Sequence, residues 1–181
     1  MRRILLALVT LTLAGCSAGD GAEGPPDVAG TAFEADPQPY DPNLDAMAAI
    51  DAALSKARAE NKRVLISMGG NWCPDCRVLS GMMEVPGLAD MIERRFEVVK
   101  VDVGRPLATE TGDAFAGYER NAEVAARFGA EGFEGVPTLL VLTPSGELLN
   151  ADEPSIFRNA RDRDPQDLAD YLYRYAGSKK S

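Results

Sequence analysis

The sequence predicts an α/β domain in which a mixed central sheet is covered by helices on both faces. Short, nearly continuous runs of Val, Ile and Leu alternate with stretches of helical period, as in strands buried on both sides. The last such run is followed by a tight turn and another short apolar run rather than by a helix, so the sheet is not purely parallel. With 45% hydrophobic residues in 181, the chain supports one domain with a substantial core and has no visible internal repeat.

From Asn43 onward, Leu44, Met47, Ile50, Leu54 and Ala57 recur at helical spacing and give way to the polar "AENKR", which predicts an amphipathic helix. "RVLISM" (63–68) is a buried strand and "GGN" a turn. Cys73 to Met83 is a helix that Pro86 ends or kinks. "FEVVKVDV" (96–103) is a second strand, Asn121 to Phe128 a helix closed by Gly129, and "TLLVL" (138–142) a third strand. "TPSG" (143–146) turns the chain into "ELLN", a hairpin partner for that strand. The final helix starts with Asp164 as its cap, Pro165 at its first position and Asp167 in its first turn. Its apolar face is Leu168, Tyr171, Leu172 and Tyr175.

Residues 1–15 belong to a targeting segment. Arg2 and Arg3 precede an apolar stretch, Ile4 to Leu13, that is too short to span a bilayer as a mature helix. "LAGC" resembles a bacterial lipobox, which implies cleavage between Gly15 and Cys16 and a lipid on Cys16. Residues 16–42 are expected to be the lipidated cysteine and a flexible tether, because Gly, Pro, Ala and acids dominate without apolar period. As a coil, that tether would span roughly 25–30 Å; docking of Phe33 or Tyr40 on the domain is the alternative. The domain itself is placed at 43–178.

Charge and composition exclude several functions. The formal net charge is −9, and loss of Arg2 and Arg3 makes the mature chain more acidic still, so nucleic acid and anionic lipid surfaces are poor partners. There is no histidine. The usual neutral-pH base and the commonest metal ligand are therefore missing, and Ser-His or Cys-His hydrolysis is ruled out.

The chemistry concentrates in "NWCPDCR" (71–77). At the start of a helix, positions i and i+3 share a face, so Cys73 and Cys76 can reach disulfide geometry with little backbone movement. Unpaired backbone N–H groups and the helix dipole favour a Cys73 thiolate. Pro74 costs nothing there, since its missing N–H would have had no helical partner. Trp72 is expected to shield one side. A zinc site needs four ligands, which one cysteine pair without histidine does not supply. A structural disulfide across so short a gap would constrain little of the unfolded chain. Copper(I) handling would draw on Met82 and Met83, whose ordinary role is a packed helix face.

"NWCPDC" between a strand and a helix, "VVKVDV", and "GVPTLLVLTPSGEL" together resemble the thioredoxin family over residues 44 to 177. The resemblance implies a thioredoxin fold, an exposed attacking Cys73, a resolving Cys76, and a cis Pro137 facing them. Val136 would then offer its backbone N–H and C=O to an extended substrate segment. With the lipobox, the whole resembles a membrane-tethered thioredoxin-like lipoprotein. Two departures stand out. Ser67 occupies the position where many members carry a buried aspartate that assists proton transfer at the resolving cysteine, although Lys100 matches a family lysine near that site. Residues 104–117 and 150–163 are additions to a minimal thioredoxin.

Asp75, expected to be solvated, disfavours a second negative charge beside it and should raise the Cys73 pKa relative to a neutral residue there. A less stable thiolate makes the dithiol the better electron donor. The expected function is thus an extracytoplasmic thiol-disulfide oxidoreductase that reduces protein disulfides, working as a monomer. It needs no cofactor beyond the redox-active Cys73–Cys76 pair, but it does need a membrane thiol-reducing electron donor. An oxidase or isomerase, or a copper- or client-binding module without turnover, are the alternatives. Ser17 after the lipidated cysteine favours the outer membrane, on its periplasmic side.

The lipobox reading predicts that Cys16→Ser abolishes both lipidation and cleavage before residue 16. Intact-mass measurement of the native protein decides it: an unmodified Cys16 in the mature chain overturns the reading.

Overall fold

A computed structural model of the chain describes residues 24–108, 115–130 and 135–177. Its elements in chain order are α1 (Ala46–Glu60), β1 (Arg63–Gly69), α2 (Pro74–Met83), α3 (Leu88–Arg95), β2 (Phe96–Asp102), β3 (Pro106–Ala108), β4 (Phe115–Tyr118), α4 (Ala122–Arg127), β5 (Thr138–Leu142), a 3-10 turn (Ala160–Asp162) and α5 (Pro165–Tyr175).

β1 is the middle strand, parallel to β2 and antiparallel to β5, giving the order β2-β1-β5. Side chains alternate between the two faces. Leu65, Leu139 and Val141 pack with Leu79, Met82, Leu88, Leu168 and Leu172 from α2, α3 and α5. Val64, Ile66, Met68, Val99 and Leu140 pack with Ile50, Leu54, Ala57 and Val124 from α1 and α4. Burial on both faces explains why β1 and β5 read as unbroken apolar runs. The mixed sheet covered on both faces is therefore observed as expected. Met82 and Met83 are core residues, so the copper reading loses its thioether ligands.

Several elements differ from the sequence expectation. α2 ends at Met83 as expected, with Glu84 as its cap, but a separate helix that the sequence reading did not include, α3, starts after Gly87. The Leu88, Met91, Ile92 spacing that buries α3 is itself a helical signal. Within 104–117, β3 and β4 form a small antiparallel ribbon.

The hairpin expected from "ELLN" is reduced to one bridge, Leu142 to Leu148. Beyond it, the Asn150 side chain takes the place of a paired strand. Its Oδ1 accepts from Val141 N at 2.8 Å, and its Nδ2 donates to Leu139 O at 2.8 Å and to Tyr171 Oη at 2.7 Å. Pro154 O accepts from Leu139 N at 2.7 Å. The outer edge of β5 is thus covered by loop groups, leaving little for another chain to pair with.

The largest correction concerns the flexible tether and the domain start at residue 43. Residues 24–42 lie along the domain as a strap, so the docked alternative holds for this stretch, while residues 17–23 lie outside the described residues. Val28 is buried, and its N–H donates to Gln166 Oε1 at 2.8 Å. Asp36 exchanges backbone and side-chain bonds with α2: its N–H donates to Arg77 O at 3.0 Å, and Ser80 Oγ donates to its Oδ2 at 2.9 Å. At Gly81 the strap comes so close that any side-chain carbon would collide with the Glu34 carbonyl. Tyr40 ends the strap, its N–H and C=O both bonded to the Asn71 side chain at 3.0 and 2.9 Å. Pro37, Pro39 and Pro42 restrict the free segment, which lowers the entropy lost on docking. Burial of Val28 and Tyr40 contributes about 1.5–3 kcal/mol for each side chain.

Strap and last helix share one residue. Asp164 caps α5 through Gln166 N in a full capping box with Asp167, and its other oxygen accepts from Gly30 N at 2.9 Å. Asp164→Ala removes both contacts and is expected to cost about 1–2 kcal/mol. Urea unfolding measures this, and a midpoint equal to wild type would contradict the double role.

Candidate active site

The turn after β1 delivers Cys73 to the N-cap of α2. Its backbone is extended, its N–H donates to Gly70 O at 3.0 Å, and Pro74 occupies the first helical position without losing a bond. The Cys73 sulfur itself acts as the cap, accepting from Cys76 N at 3.2 Å. Both thiols are free in the structure. Cys73 is only 4% exposed and Cys76 not at all, so the attacking cysteine is less open than the resemblance implies, although the order of exposure agrees.

These contacts set the two sulfurs apart. The Cys76 thiol donating to Cys73 is the main influence lowering the Cys73 pKa; the Cys76 N–H helps, while burial and the Asp75 charge oppose it. The same hydrogen bond, seen from its donor side, pushes the Cys76 pKa up, and burial adds to that. One thiol is thereby primed as a nucleophile and the other held protonated beneath it.

Val136 faces this pair, and the peptide bond between it and Pro137 is cis. The Cys73 thiol points at Val136 O at 3.9 Å. Val136 is packed against Tyr40, Cys73 and Cys76. Beside it opens a groove of about 600 Å³ lined by Val136, Ser155, Ile156, Arg158 and Asn159. Trp72, next to Cys73 in the chain, is 38% exposed, and its Nε1 donates to Gly104 O at 2.6 Å. Among the described residues no group of three His, Cys, Asp or Glu side chains is placed to hold a metal ion.

Asp75 departs from expectation. It is 8% exposed, and Arg161, on the 3-10 turn within the 150–163 addition, holds it. Arg161 N and Nε donate to Asp75 Oδ1 at 3.0 and 3.2 Å, and a terminal nitrogen lies 3.2 Å from Oδ2. The carboxylate charge next to Cys73 is therefore largely countered, which weakens the electrostatic case for a donor pair built on Asp75 alone. Lys100 is also engaged elsewhere: Nζ donates to Ser80 Oγ at 2.7 Å and lies 3.7 Å from Asp36 Oδ2. It anchors the strap to α2.

Ser67 is buried on β1, and the Tyr40 hydroxyl, whose ring packs with Cys76, meets it at 3.2 Å. Tyr118 of β4 is the other tyrosine sensing the thiols; burial first, then the charge of Cys76 and Cys73, pushes its pKa up to about 12. Arg161, within the 150–163 addition, and Tyr118, at the end of β4 just past the 104–117 addition, are residues that sequence reasoning did not bring to the site.

Arg161→Ala removes the positive charge facing Asp75 and leaves that carboxylate beside the Cys73 thiolate, so both changes raise the Cys73 pKa. Arg161 is mostly exposed, and its effect is screened accordingly. Iodoacetamide alkylation of Cys73 at neutral pH should slow by a factor of about two to five, the range an exposed ion pair supports. An unchanged or faster rate refutes the role of this pair.

The chain has counterparts among known proteins. A family model described as thioredoxin-like matches residues 45–144, more than half of the chain. Among solved structures, a disulphide isomerase from Xylella fastidiosa Temecula1 is similar at 28% identity and a TM-score of 0.65, covering 77% of this chain and 98% of its own. A mutant thioredoxin from Halobacterium salinarum NRC-1 is similar at 21% identity and a TM-score of 0.44, covering 81% of this chain and 99% of its own. A comparison with curated proteins gives no match. With the matched region running from the cap of α1 through β5 and containing both cysteines and the cis-proline, the chain belongs to the thioredoxin-like family.

Proposed function

We propose that the protein is a thiol-disulfide oxidoreductase that acts on protein disulfides from its dithiol form, as a reductase. The observation that carries the exchange chemistry is the asymmetry of the pair: Cys73 caps α2 with a lowered pKa, and Cys76 is held protonated beside it; the reductase direction rests on the Asp75 carboxylate, which still opposes the Cys73 thiolate. The Cys73 thiolate attacks one sulfur of the substrate disulfide, and the other leaves as a thiolate and is protonated. A mixed disulfide now joins Cys73 to the substrate. Cys76 gives up its proton, its sulfur attacks Cys73, and the second substrate thiol is released. Two electrons have passed from the pair to the substrate, and the enzyme holds a Cys73–Cys76 disulfide. The groove beside Val136 suits an extended substrate segment pairing with that residue's backbone.

Regeneration of the dithiol calls for a thiol-reducing donor, a membrane protein if the chain is exported. The lipobox-like "LAGC" supports a position on the periplasmic face of a membrane, anchored through Cys16, with Ser17 favouring the outer membrane. Only residues 17–23 separate that cysteine from the described strap, a contour of at most about 25 Å. The domain would work close to the lipid surface rather than on a long leash.

A second reading, isomerase, is favoured by the similarity to the Xylella disulphide isomerase. It uses the same Cys73 attack but lets the substrate's own thiol resolve the mixed disulfide. Insulin reduction driven by dithiothreitol separates the possibilities. Wild type is expected to accelerate it and Cys73→Ser to abolish that acceleration, while Cys76→Ser accumulates trapped substrate. A wild type no faster than dithiothreitol alone rejects the reductase. If Cys76→Ser still reactivates scrambled ribonuclease at the wild-type rate, the isomerase reading replaces it.

A further inference from the structure

Below the thiols lies a polar pair that the mechanism has not used. Tyr40 is 2% exposed, though it belongs to the strap rather than to the sheet or helices. Its ring packs with Cys73 and Cys76 in one buried cluster. Its hydroxyl reaches Ser67 Oγ at 3.2 Å, with either oxygen able to donate. β1 passes beneath at Gly69, and the absence of a side chain there is required: a carbon at that position would fall within 3.0 Å of both the Tyr40 hydroxyl and the Cys76 sulfur. Three separate parts of the chain are thus brought to one point, with Asn71 holding the strap's end in place.

The chemistry at that point has a specific need. Cys76 must become an attacking thiolate while buried, and a buried anion is costly without a hydrogen-bond donor. No carboxylate lies on β1 to help, because the position is Ser67.

We infer that Tyr40, oriented by Ser67, donates its hydroxyl hydrogen to the Cys76 sulfur as that sulfur loses its proton, and so sets the rate at which the mixed disulfide is resolved. Ser67 turns its own O–H toward the tyrosine oxygen, and the tyrosine O–H turns toward Cys76. Tyr40 stays protonated throughout: burial, first, and the neighbouring Cys76 hold its pKa far above neutrality. The electron pair on Cys76 forms the new bond to Cys73, the bond from Cys73 to the substrate breaks, and the departing thiolate takes up the proton that Cys76 released. The charged groups bordering the pair are Cys73 and Asp75 on the α2 side, and Asp75 is matched by Arg161.

This inference rests on the oxidoreductase reading, and its test separates the two. The reduced mature protein, with Cys16 blocked by its lipid, is mixed with 5,5′-dithiobis(2-nitrobenzoate), whose two coloured thiolates report the two steps: Cys73 attack releases the first, Cys76 resolution the second. Tyr40→Phe keeps the ring and removes only the hydroxyl. The first release should match wild type, and the second should slow roughly tenfold, the size of one hydrogen bond to a charged group. Ser67→Ala, which leaves the strap residue intact, should slow the second release less, and it serves as the measurement if Tyr40→Phe does not fold. A purely structural role for Tyr40 would lower stability while leaving the ratio of the two rates unchanged, and that outcome overturns the inference. Release of a single equivalent by wild type would overturn the oxidoreductase reading itself.

Discussion

The hydrogen bond from Cys76 N to the Cys73 sulfur is the contact around which the site is arranged. It is at once a helix cap and a chemical device. As a cap it satisfies one of the orphan donors at the start of α2, a task normally given to an oxygen. As a device it places a sulfur where backbone N–H groups and the helix dipole stabilise negative charge. The Cys76 side chain, one turn along, then has no place except beneath the first sulfur, and its thiol donates upward. Folding of α2 and the division of labour between the cysteines are therefore one event: whatever holds the helix start holds the nucleophile.

Segments outside the minimal pattern finish the site. Arg161 comes from the 150–163 addition to meet Asp75, and Tyr118 ends the ribbon at the edge of the 104–117 addition. Tyr40 arrives from the N-terminal strap to meet Ser67. Arg161 supplies a counter-charge, Tyr40 a buried hydroxyl, and Tyr118 a buried phenol whose pKa the thiols' charge helps to raise. The strap also ties α2 to α5 through Asp36 and Val28, so the helix that presents Cys73 is braced from the side opposite the sheet.

What could be read from the sequence was local. β1 and β5 announced themselves because both their faces are apolar, and β2 through its run of Val98, Val99, Val101 and Val103. The start of α5 was written in Asp164, Pro165 and Asp167, all within one turn. Cys73, Cys76 and Pro137 were visible through motif spacing. The parts that stayed hidden are long-range pairings in which neither partner looks unusual alone. Asp75 and Arg161 lie 86 positions apart, and nothing around Asp75 shows that it is buried. Tyr40 sat in a stretch whose composition reads as unfolded, and only the cluster of Pro37, Pro39 and Pro42 signalled that ordering it would cost little entropy. Asn150 replaced a strand with a side chain, a substitution that hydrophobic pattern does not record. α3 is the exception: its Leu88, Met91, Ile92 period is local, but it is short and begins directly after Pro86 and Gly87, which mark a break in the chain.

These pairings change how the direction of electron flow should be argued. With Asp75 unscreened, like-charge repulsion would have destabilised the Cys73 thiolate and made the dithiol a stronger donor. Arg161 counters that charge, so neither residue dominates, and the balance at Cys73 falls to the neutral donors: the Cys76 thiol and the Cys76 N–H. The thiol donor belongs to the reduced state and acts on Cys73 only while Cys76 remains a thiol. Once Cys76 is engaged in the disulfide that donor is gone, and the tyrosine beneath loses a sulfur able to carry charge. With the Tyr40 donor inferred above, a chain of neutral hydrogen bonds runs from Ser67 through Tyr40 and Cys76 to Cys73 in the reduced form, while Asp75 remains the group that opposes the Cys73 thiolate. Because every donor in that chain is uncharged, salt should perturb it far less than it perturbs the Asp75–Arg161 pair at the rim. The redox centre is insulated below and adjustable above.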